Sequence, residues 1–193
     1  RACWEKALRE DRLNLFAHAF VALDRGDFPS FCSLIKTDVT QVLMDIAEVL
    51  AEAGLYGEIR ALIEGVARYK PLNAVAQYVL ADIAGTAVSA APVGIAFPSR
   101  QYEEVILQRA VASNPNDAEA QYLLGCLRYG KGRYEEGIAT FEKCLALGED
   151  YRVYRNLAAA YYSHRHDKKT ALAYMKKAAA SAPKNEKQIT FEV

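Results

Sequence analysis

The stretch AEAQYLLGCLRYGKGRYEEGIATFEKCLAL, residues 118–147, decides the fold. Large or apolar side chains recur at three- and four-residue spacings on both sides of YGKGRY, which indicates two amphipathic helices. Gly130 and Gly132 in this break can adopt the positive φ that ends a helix. Gly125 and Gly137 are predicted to face one another, since glycine costs about 1 kcal/mol within a helix and close packing would explain it. The stretch is therefore predicted to form a helical hairpin.

The following stretch, YRVYRNLAAAYYSHRHDKKTALAYMKKAAASAP, residues 151–183, repeats this plan. Ala158 takes the place of Gly125, and apolar residues again follow the helical period on both sides of a polar turn. Pro183 ends the second helix, as Pro115 ends the helix that precedes the first hairpin. Two consecutive hairpins of similar length predict a repeat architecture.

These segments resemble the tetratricopeptide repeat, a helix-turn-helix unit of about 34 residues. The resemblance is carried by small and large residues at matching positions: Leu124, Gly125, Tyr134 and Phe141, then Leu157, Ala158, Tyr161, Ala171, Ala178 and Pro183. Gly137 and Cys144 replace the usual alanines and keep the size class. The resemblance implies an all-α fold, a right-handed superhelix or α-solenoid of such repeats.

The same register extends towards the N-terminus. Small residues at positions 47, 81, 125 and 158 are separated by about 34, 44 and 33 residues, against an expected repeat of about 34. The longer interval predicts an inserted loop at 85–98. One repeat domain is predicted over 1–193, divided into an irregular or truncated repeat 1–36, a repeat 37–70, a repeat 71–115 that carries the loop, repeats 118–150 and 151–185, and the start of a truncated helix at 186–193.

Both ends of the pattern lie within a repeat unit, which predicts a fragment of a larger protein. The combination of LNLFAHAF, GLYGEIRALIEGV, FPSRQYEEV and the paired terminal repeats is similar to the C-terminal tail of a bacterial family of unknown function. In that family a β-rich, carbohydrate-recognition-like domain precedes the repeats. The resemblance implies an adjacent domain in the full-length chain and brings no catalytic residue.

Composition narrows the choice of partners. Lysine plus arginine and aspartate plus glutamate both number 24, so the chain lacks the cationic surplus that binding to nucleic acid or to an acidic membrane surface requires. The four cysteines are scattered without a CxxC motif and are expected to be buried thiols in a reducing compartment. A cytoplasmic location is the expectation.

Catalytic and cofactor motifs are missing from the sequence. No serine lies in a GxSxG context, and the glycines form neither a dinucleotide nor a phosphate-binding loop. His164 and His166 are spaced for a metal site on an extended turn, but a solvated turn is favoured because only Asp167 lies near as a third ligand. The chain is predicted to be no enzyme and to hold no cofactor or metal.

The concave groove that such repeats form is the predicted site. The family pattern assigns it Tyr122, Cys126, Tyr129, Arg152, Arg155, Asn156 and Tyr162, flanked by Glu119, Leu123 and Ala159, with Gln41, Met44, Asp45, Glu48, Tyr78 and Asp82 upstream. The groove is then acidic towards its N-terminal end and basic and aromatic towards its C-terminal end. Arginine forks suit carboxylates and asparagine can bond a peptide backbone. Tyr122 and Cys126 replace the lysine and asparagine of carboxylate-clamp relatives, which disfavours a chaperone-tail ligand.

The function predicted from these residues is non-catalytic binding of a protein or peptide along the groove. Two alternatives belong to other classes. The repeats can serve as a structural appendage of a carbohydrate-active or carbohydrate-binding domain elsewhere in the full-length chain. They can also self-associate into a homodimer through exposed repeat ends, since unmasked repeat ends expose apolar surface.

Overall fold

The computed structural model describes residues 2–88, 90 and 96–183, and every regular element within them is an α-helix. The helices are α1 Ala2–Glu10, α2 Leu15–Arg25, α3 Phe28–Leu34, α4 Val39–Glu52, α5 Tyr56–Ala67, α6 Ala74–Ala84, α7 Gln101–Ser113, α8 Ala118–Gly130, α9 Tyr134–Leu147, α10 Tyr151–Ser163 and α11 Lys168–Ser181. The predicted fold class, all-α with solenoid-type helix-turn-helix repeats, is confirmed. Part of the predicted loop 85–98 and the whole predicted helix start at 186–193 lie outside the described residues.

The chain divides into two compact units. The first comprises Arg1–Ala96 and Arg100–Ile106, and the second comprises Phe97–Ser99 and Leu107–Val193. Helices α1 to α6 and the first half of α7 therefore belong to the first unit, and α8 to α11 belong to the second. Among the described residues, no helix combines the length and the apolar character that crossing a bilayer requires.

Short polar side chains cap the starts of α2, α3, α4 and α6 in the first unit, whereas α5 begins without a side-chain cap. Asn14 accepts a hydrogen bond from the Ala17 amide, and Asp38 accepts one from the Thr40 amide, so each satisfies an amide that the first turn leaves open. The core of this unit lies between helices whose apolar residues are almost fully buried, among them Leu43, Ile46, Ile59, Leu62, Ile63 and Val66. In this unit α4 packs on α5, and the seven-residue α3 packs on α2 and α5.

The second unit consists of two helical hairpins, α8–α9 and α10–α11, after the end of α7. A Cβ at Gly125 would lie 2.6 Å from the Phe141 ring, and one at Gly137 would lie 2.8 Å from the Tyr129 Cβ. The prediction that the two glycines face one another is therefore wrong. Each faces a larger neighbour instead: Gly125 makes room for an aromatic ring, and Gly137 lets α9 approach the backbone of α8.

The two hairpin turns differ in their left-handed residue. Gly132 has φ +79° in the turn between α8 and α9, whereas Gly130 is the last residue of α8 and is not at positive φ. In the turn between α10 and α11, His166 has φ +54°. It is the only non-glycine residue at positive φ among the described residues. A side chain at this φ carries backbone strain that glycine avoids.

Candidate functional site

All seven predicted site residues lie in the second unit. Helix α8 carries Tyr122, Cys126 and Tyr129, and helix α10 carries Arg152, Arg155, Asn156 and Tyr162. The surface formed by these residues is called the α8–α10 face below. The structure brings four of them together in one contact cluster, Tyr122, Cys126, Arg152 and Asn156, as the next contacts show.

Arg152 is held by the protein itself. Its Nη2 donates to Glu119 Oε2 at 2.6 Å and to Asp150 Oδ2 at 2.7 Å, and its guanidinium carbon lies 4.3 Å from the centre of the Tyr122 ring. Glu119 has 7 % of its side chain exposed and Arg152 has 19 %. Arg152 therefore joins α10 to α8, and its predicted contact with a ligand stays a prediction.

Ionisation follows these contacts. Burial alone would lower the pKa of Arg152, but the hydrogen bonds that its guanidinium donates to Asp150 and Glu119 outweigh burial and raise that pKa above its ordinary value. Burial raises the pKa of the Tyr122 hydroxyl above its ordinary value. The arginine is therefore charged and the phenol neutral throughout the physiological range.

Cys126, which belongs to this cluster, and Cys144 are protonated thiols. Burial raises the pKa of Cys126 to about 11 and that of Cys144 to about 12. The Cys126 sulfur accepts a hydrogen bond from Asn156 Nδ2 at 3.4 Å, and the Cys144 thiol donates to the Ala118 carbonyl at 3.2 Å. A thiol protonated at neutral pH is a poor nucleophile, so both act as packing groups here.

Three site residues remain open on the α8–α10 face. Arg155 is half-buried and makes no hydrogen bond or ion pair with any residue that the structure describes. Asn156 uses one amide N–H on Cys126 and leaves its carbonyl oxygen available. Tyr162 has 58 % of its surface exposed. These side chains offer a guanidinium, an amide and an aromatic ring to a ligand.

Tyr129 takes part in a different contact at the turn end of the hairpins. Its ring meets the Tyr134 ring edge-on at 5.0 Å, and Tyr134 lies 4.5 Å from the His164 ring. His164 Nε2 lies 3.3 Å from Glu135 Oε1, and Arg165 also pairs with Glu135. This cluster joins the α10–α11 turn to the start of α9. Among the described residues, no group of three histidine, cysteine or acidic side chains is placed to hold a metal ion.

The upstream residues predicted to line the groove lie in the first unit, where other residues of the same unit contact them. Arg100 donates from Nε to Asp45 Oδ1 at 2.7 Å and from Nη1 to Gln41 Oε1 at 2.8 Å, and the Tyr102 amide donates to Glu48 Oε1 at 3.4 Å. Two further residues predicted to line the groove are buried: Met44 is 0 % exposed and Tyr78 is 1 % exposed. Met44 and Tyr78 therefore pack within the unit, and the prediction that they line an open groove is wrong. Asp45 stays exposed while it pairs with Arg100.

Arg100 is the internal partner of Asp45 and Gln41 that the sequence interpretation missed. The guanidinium is 14 % exposed and also contacts Glu103, whose side chain is completely buried. A signal was present in the sequence: an arginine stands at the start of the helix that follows the insertion, and the face of α4 offers it Asp45 and Gln41. What could not be seen was that the insertion returns the chain to that face.

Comparison with known proteins supports the repeat assignment for the C-terminal part of the chain. A family model described as "Tetratricopeptide repeat" matches residues 106–150 and 122–186. No curated protein matches the chain. The earlier resemblance to a bacterial family with a preceding β-rich domain is not found in these comparisons and stays a prediction.

Similar solved structures come from proteins of low sequence identity. A crystal structure of MamA is 21 % identical, covering 84 % of this chain and 92 % of that chain with a TM-score of 0.45. MamA 41-end from Desulfovibrio magneticus RS-1 is 23 % identical, covering 88 % and 94 % with a TM-score of 0.43. YrrB, described as "a TPR protein with an unusual peptide-binding site", is 17 % identical, covering 94 % and 93 % with a TM-score of 0.43. The family match over residues 106–186 thus carries the assignment, and this part of the chain is similar to the tetratricopeptide repeat.

Proposed function

We propose that the α8–α10 face binds an extended protein or peptide segment and catalyses no reaction. Repeat proteins of this kind present the first helices of successive hairpins as a shared binding surface. The match of residues 106–186 to the tetratricopeptide repeat supports this role for α8 and α10. The protonated state of Cys126 and Cys144 also favours binding over nucleophilic chemistry.

The observation that carries the proposal is the contrast between two arginines on one helix. The Arg152 guanidinium donates hydrogen bonds to Glu119 and Asp150. Arg155, one turn further along α10, makes no hydrogen bond or ion pair with the described residues and is still half-buried. A partly desolvated guanidinium without a partner is costly, because its lost hydration is not replaced. A ligand that supplies a carboxylate would restore the missing hydrogen bonds.

The neighbours of Arg155 define the ligand more closely. The Asn156 carbonyl oxygen can accept from a peptide N–H, and the exposed Tyr162 ring can pack on an apolar side chain. The proposal does not include direct ligand contacts from Tyr122, Cys126 and Arg152. These three side chains contact other residues of the α8–α10 face. The ligand expected here is an extended segment with an acidic residue beside an apolar one.

The wider setting is part of the same proposal. We place the protein in a reducing compartment, the cytoplasm, and this is supported by Cys32 and Cys144, which are buried free thiols. Cys3 is exposed, so the expectation that all four cysteines are buried is wrong for that residue. We also propose that 37–70, 118–150 and 151–185 are repeat units, since α4–α5, α8–α9 and α10–α11 each pack as a pair.

The test measures peptide binding to the intact chain and to two charge-matched variants. Peptides selected from a displayed random library would be synthesised, labelled, and titrated by fluorescence anisotropy. Arg155→Glu should weaken binding at least tenfold, because a guanidinium–carboxylate contact becomes a repulsion. Lys143→Glu makes the same charge change on the exposed side of α9 and should leave the affinity unchanged.

Arg152→Glu is unsuitable for this purpose, since it would place three acidic groups together and damage the face itself. If the selected peptides bind equally to wild type and Arg155→Glu, or if the Lys143→Glu variant loses as much affinity, the proposed site is wrong.

A further inference from the structure

A cavity of about 340 Å³ opens in the first unit, apart from the α8–α10 face. It lies among the start of α1, the second half of α2 and the first turn of α5. Its lining includes the side chains of Trp4, Glu5, Phe20, Asp24, Arg25 and Glu58. This volume lies at the lower end of the range for small-molecule sites.

The aromatic wall of the cavity is held in place by ring stacking. The Trp4 and Phe20 rings are parallel within 1°, and their centroids are 3.9 Å apart. Because α1 and α2 each supply one ring, the stack also joins these two helices. Aromatic faces carry the negative part of the ring quadrupole and attract cations, and tryptophan does so most strongly.

The charges around the cavity favour a cation as well. Three carboxylates line it against a single guanidinium, and that guanidinium, Arg25, is paired with Glu5. Glu58 is half-buried and makes no hydrogen bond or ion pair with any described residue. An anion would be repelled by Glu58, whereas a cation would be attracted to it.

The residues that line the cavity favour an organic cation over a metal ion. Divalent metals require several converging oxygen or nitrogen ligands. The described residues contain no group of three ligating side chains placed for a metal, and the Trp4 and Phe20 rings occupy part of the wall. A diffuse positive charge on a carbon framework fits an aromatic and acidic lining better.

We propose that this cavity binds a small organic ammonium ion, with the charge beside Glu58 and the carbon groups against the Trp4 and Phe20 rings. Both recognition elements belong to the first unit, so this inference does not rest on the peptide-binding function of the second. It assigns the chain a small-molecule site whose occupancy is set by charge and ring contact together.

The test uses the single tryptophan of the chain, Trp4, as its own probe. The full chain is titrated with choline and, separately, with 3,3-dimethylbutan-1-ol, which has the same shape without the charge. Choline should change the Trp4 emission in a saturable manner and bind at least tenfold more tightly than the alcohol. If the emission does not change, or the alcohol binds as tightly as choline, the proposal is overturned.

Variants on α5 identify the carboxylate. Glu58→Gln keeps the size of the side chain and should weaken choline binding at least fivefold. Glu64→Gln is the matched control, because Glu64 lies on the same helix, is exposed, and pairs with Arg60. Circular dichroism checks that both variants fold. Equal affinity of wild type and Glu58→Gln, or an equal loss in Glu64→Gln, would contradict the assignment of the charge to Glu58.

Discussion

The faces of α4 and α10 both carry charged residues, acidic on α4 and basic on α10, and they also differ in what contacts them. On α4, Asp45 and Gln41 contact the chain's own Arg100. On α10, Arg155 meets no hydrogen-bond or ion-pair partner among the described residues, although Arg152 on the same helix meets two. The binding site proposed on α10 therefore depends on a charge that the described residues leave uncompensated.

The largest effect is expected from Arg152→Ala. The change leaves Glu119 buried without its cation and also removes the contact with the Tyr122 ring. Breaking a largely buried ion pair from one side is strongly destabilising, so the free energy of unfolding should fall by about 3 kcal/mol. Urea denaturation followed by circular dichroism measures this. A loss of less than about 1 kcal/mol would mean that Arg152 does not join the two helices.

Arg100→Ala should have the next largest effect. It removes the contacts to Asp45 and Gln41 and leaves the completely buried Glu103 with one cation fewer. Since Asp45 stays solvated, we expect a loss of about 2 kcal/mol in the free energy of unfolding. Arg100→Lys keeps the charge but loses the fork and should lie between wild type and Arg100→Ala. If lysine restores full stability, charge alone holds this contact.

The two hairpin turns of the second unit allow a smaller comparison of opposite sign. Gly132→Ala puts a side chain at φ +79° and should lower the free energy of unfolding by about 1 kcal/mol. His166→Gly removes a side chain from φ +54° and should raise it by about 0.5 kcal/mol, since relief of strain is partly offset by greater freedom of the unfolded chain. Thermal denaturation of both variants under identical conditions gives the two signs. Stabilisation by Gly132→Ala would contradict the turn geometry.

The smallest effect on stability is expected from Arg155→Ala. Because the structure shows no hydrogen bond or ion pair for Arg155 among the described residues, the free energy of unfolding should change by about 0.5 kcal/mol or less. Peptide affinity should nevertheless fall at least tenfold in the same variant. Loss of stability comparable to that of Arg152→Ala would show that Arg155 also has a structural partner.

The hairpins could be predicted from the sequence because helical periodicity and turn residues are local properties. Helix ends at Gly132 and Pro183 can be predicted because glycine readily adopts positive φ and proline cannot continue a helix. Neither property depends on distant residues. The residues that pack against each other were harder to predict from the sequence. Gly125 and Gly137 were recognised as small for a packing reason, but nothing local shows that their neighbours are Phe141 and Tyr129.

The residues of the α8–α10 face could be assigned to their helices from the sequence, whereas the contacts of its charged side chains could not. The family pattern placed Arg152 and Arg155 on one helix, and both lie on α10. Arg152 is compensated by Glu119, which lies 33 positions away in the sequence, and such a pairing depends on how two hairpins stack. Arg100 and Asp45 are 55 positions apart and meet for the same kind of reason.

For the binding proposed at the α8–α10 face, the Arg152 ion-pair cluster has a kinetic consequence. Arg152 and Arg155 contribute two positive charges to the α8–α10 face, and Glu119 and Asp150 contribute two negative ones, so the local sum is zero. Long-range electrostatic attraction would accelerate the encounter with a charged partner only if such a sum were far from zero. Association should therefore proceed at an ordinary rate of about 10⁵–10⁷ M⁻¹s⁻¹ with little dependence on ionic strength, and partners should be distinguished by how long they stay bound.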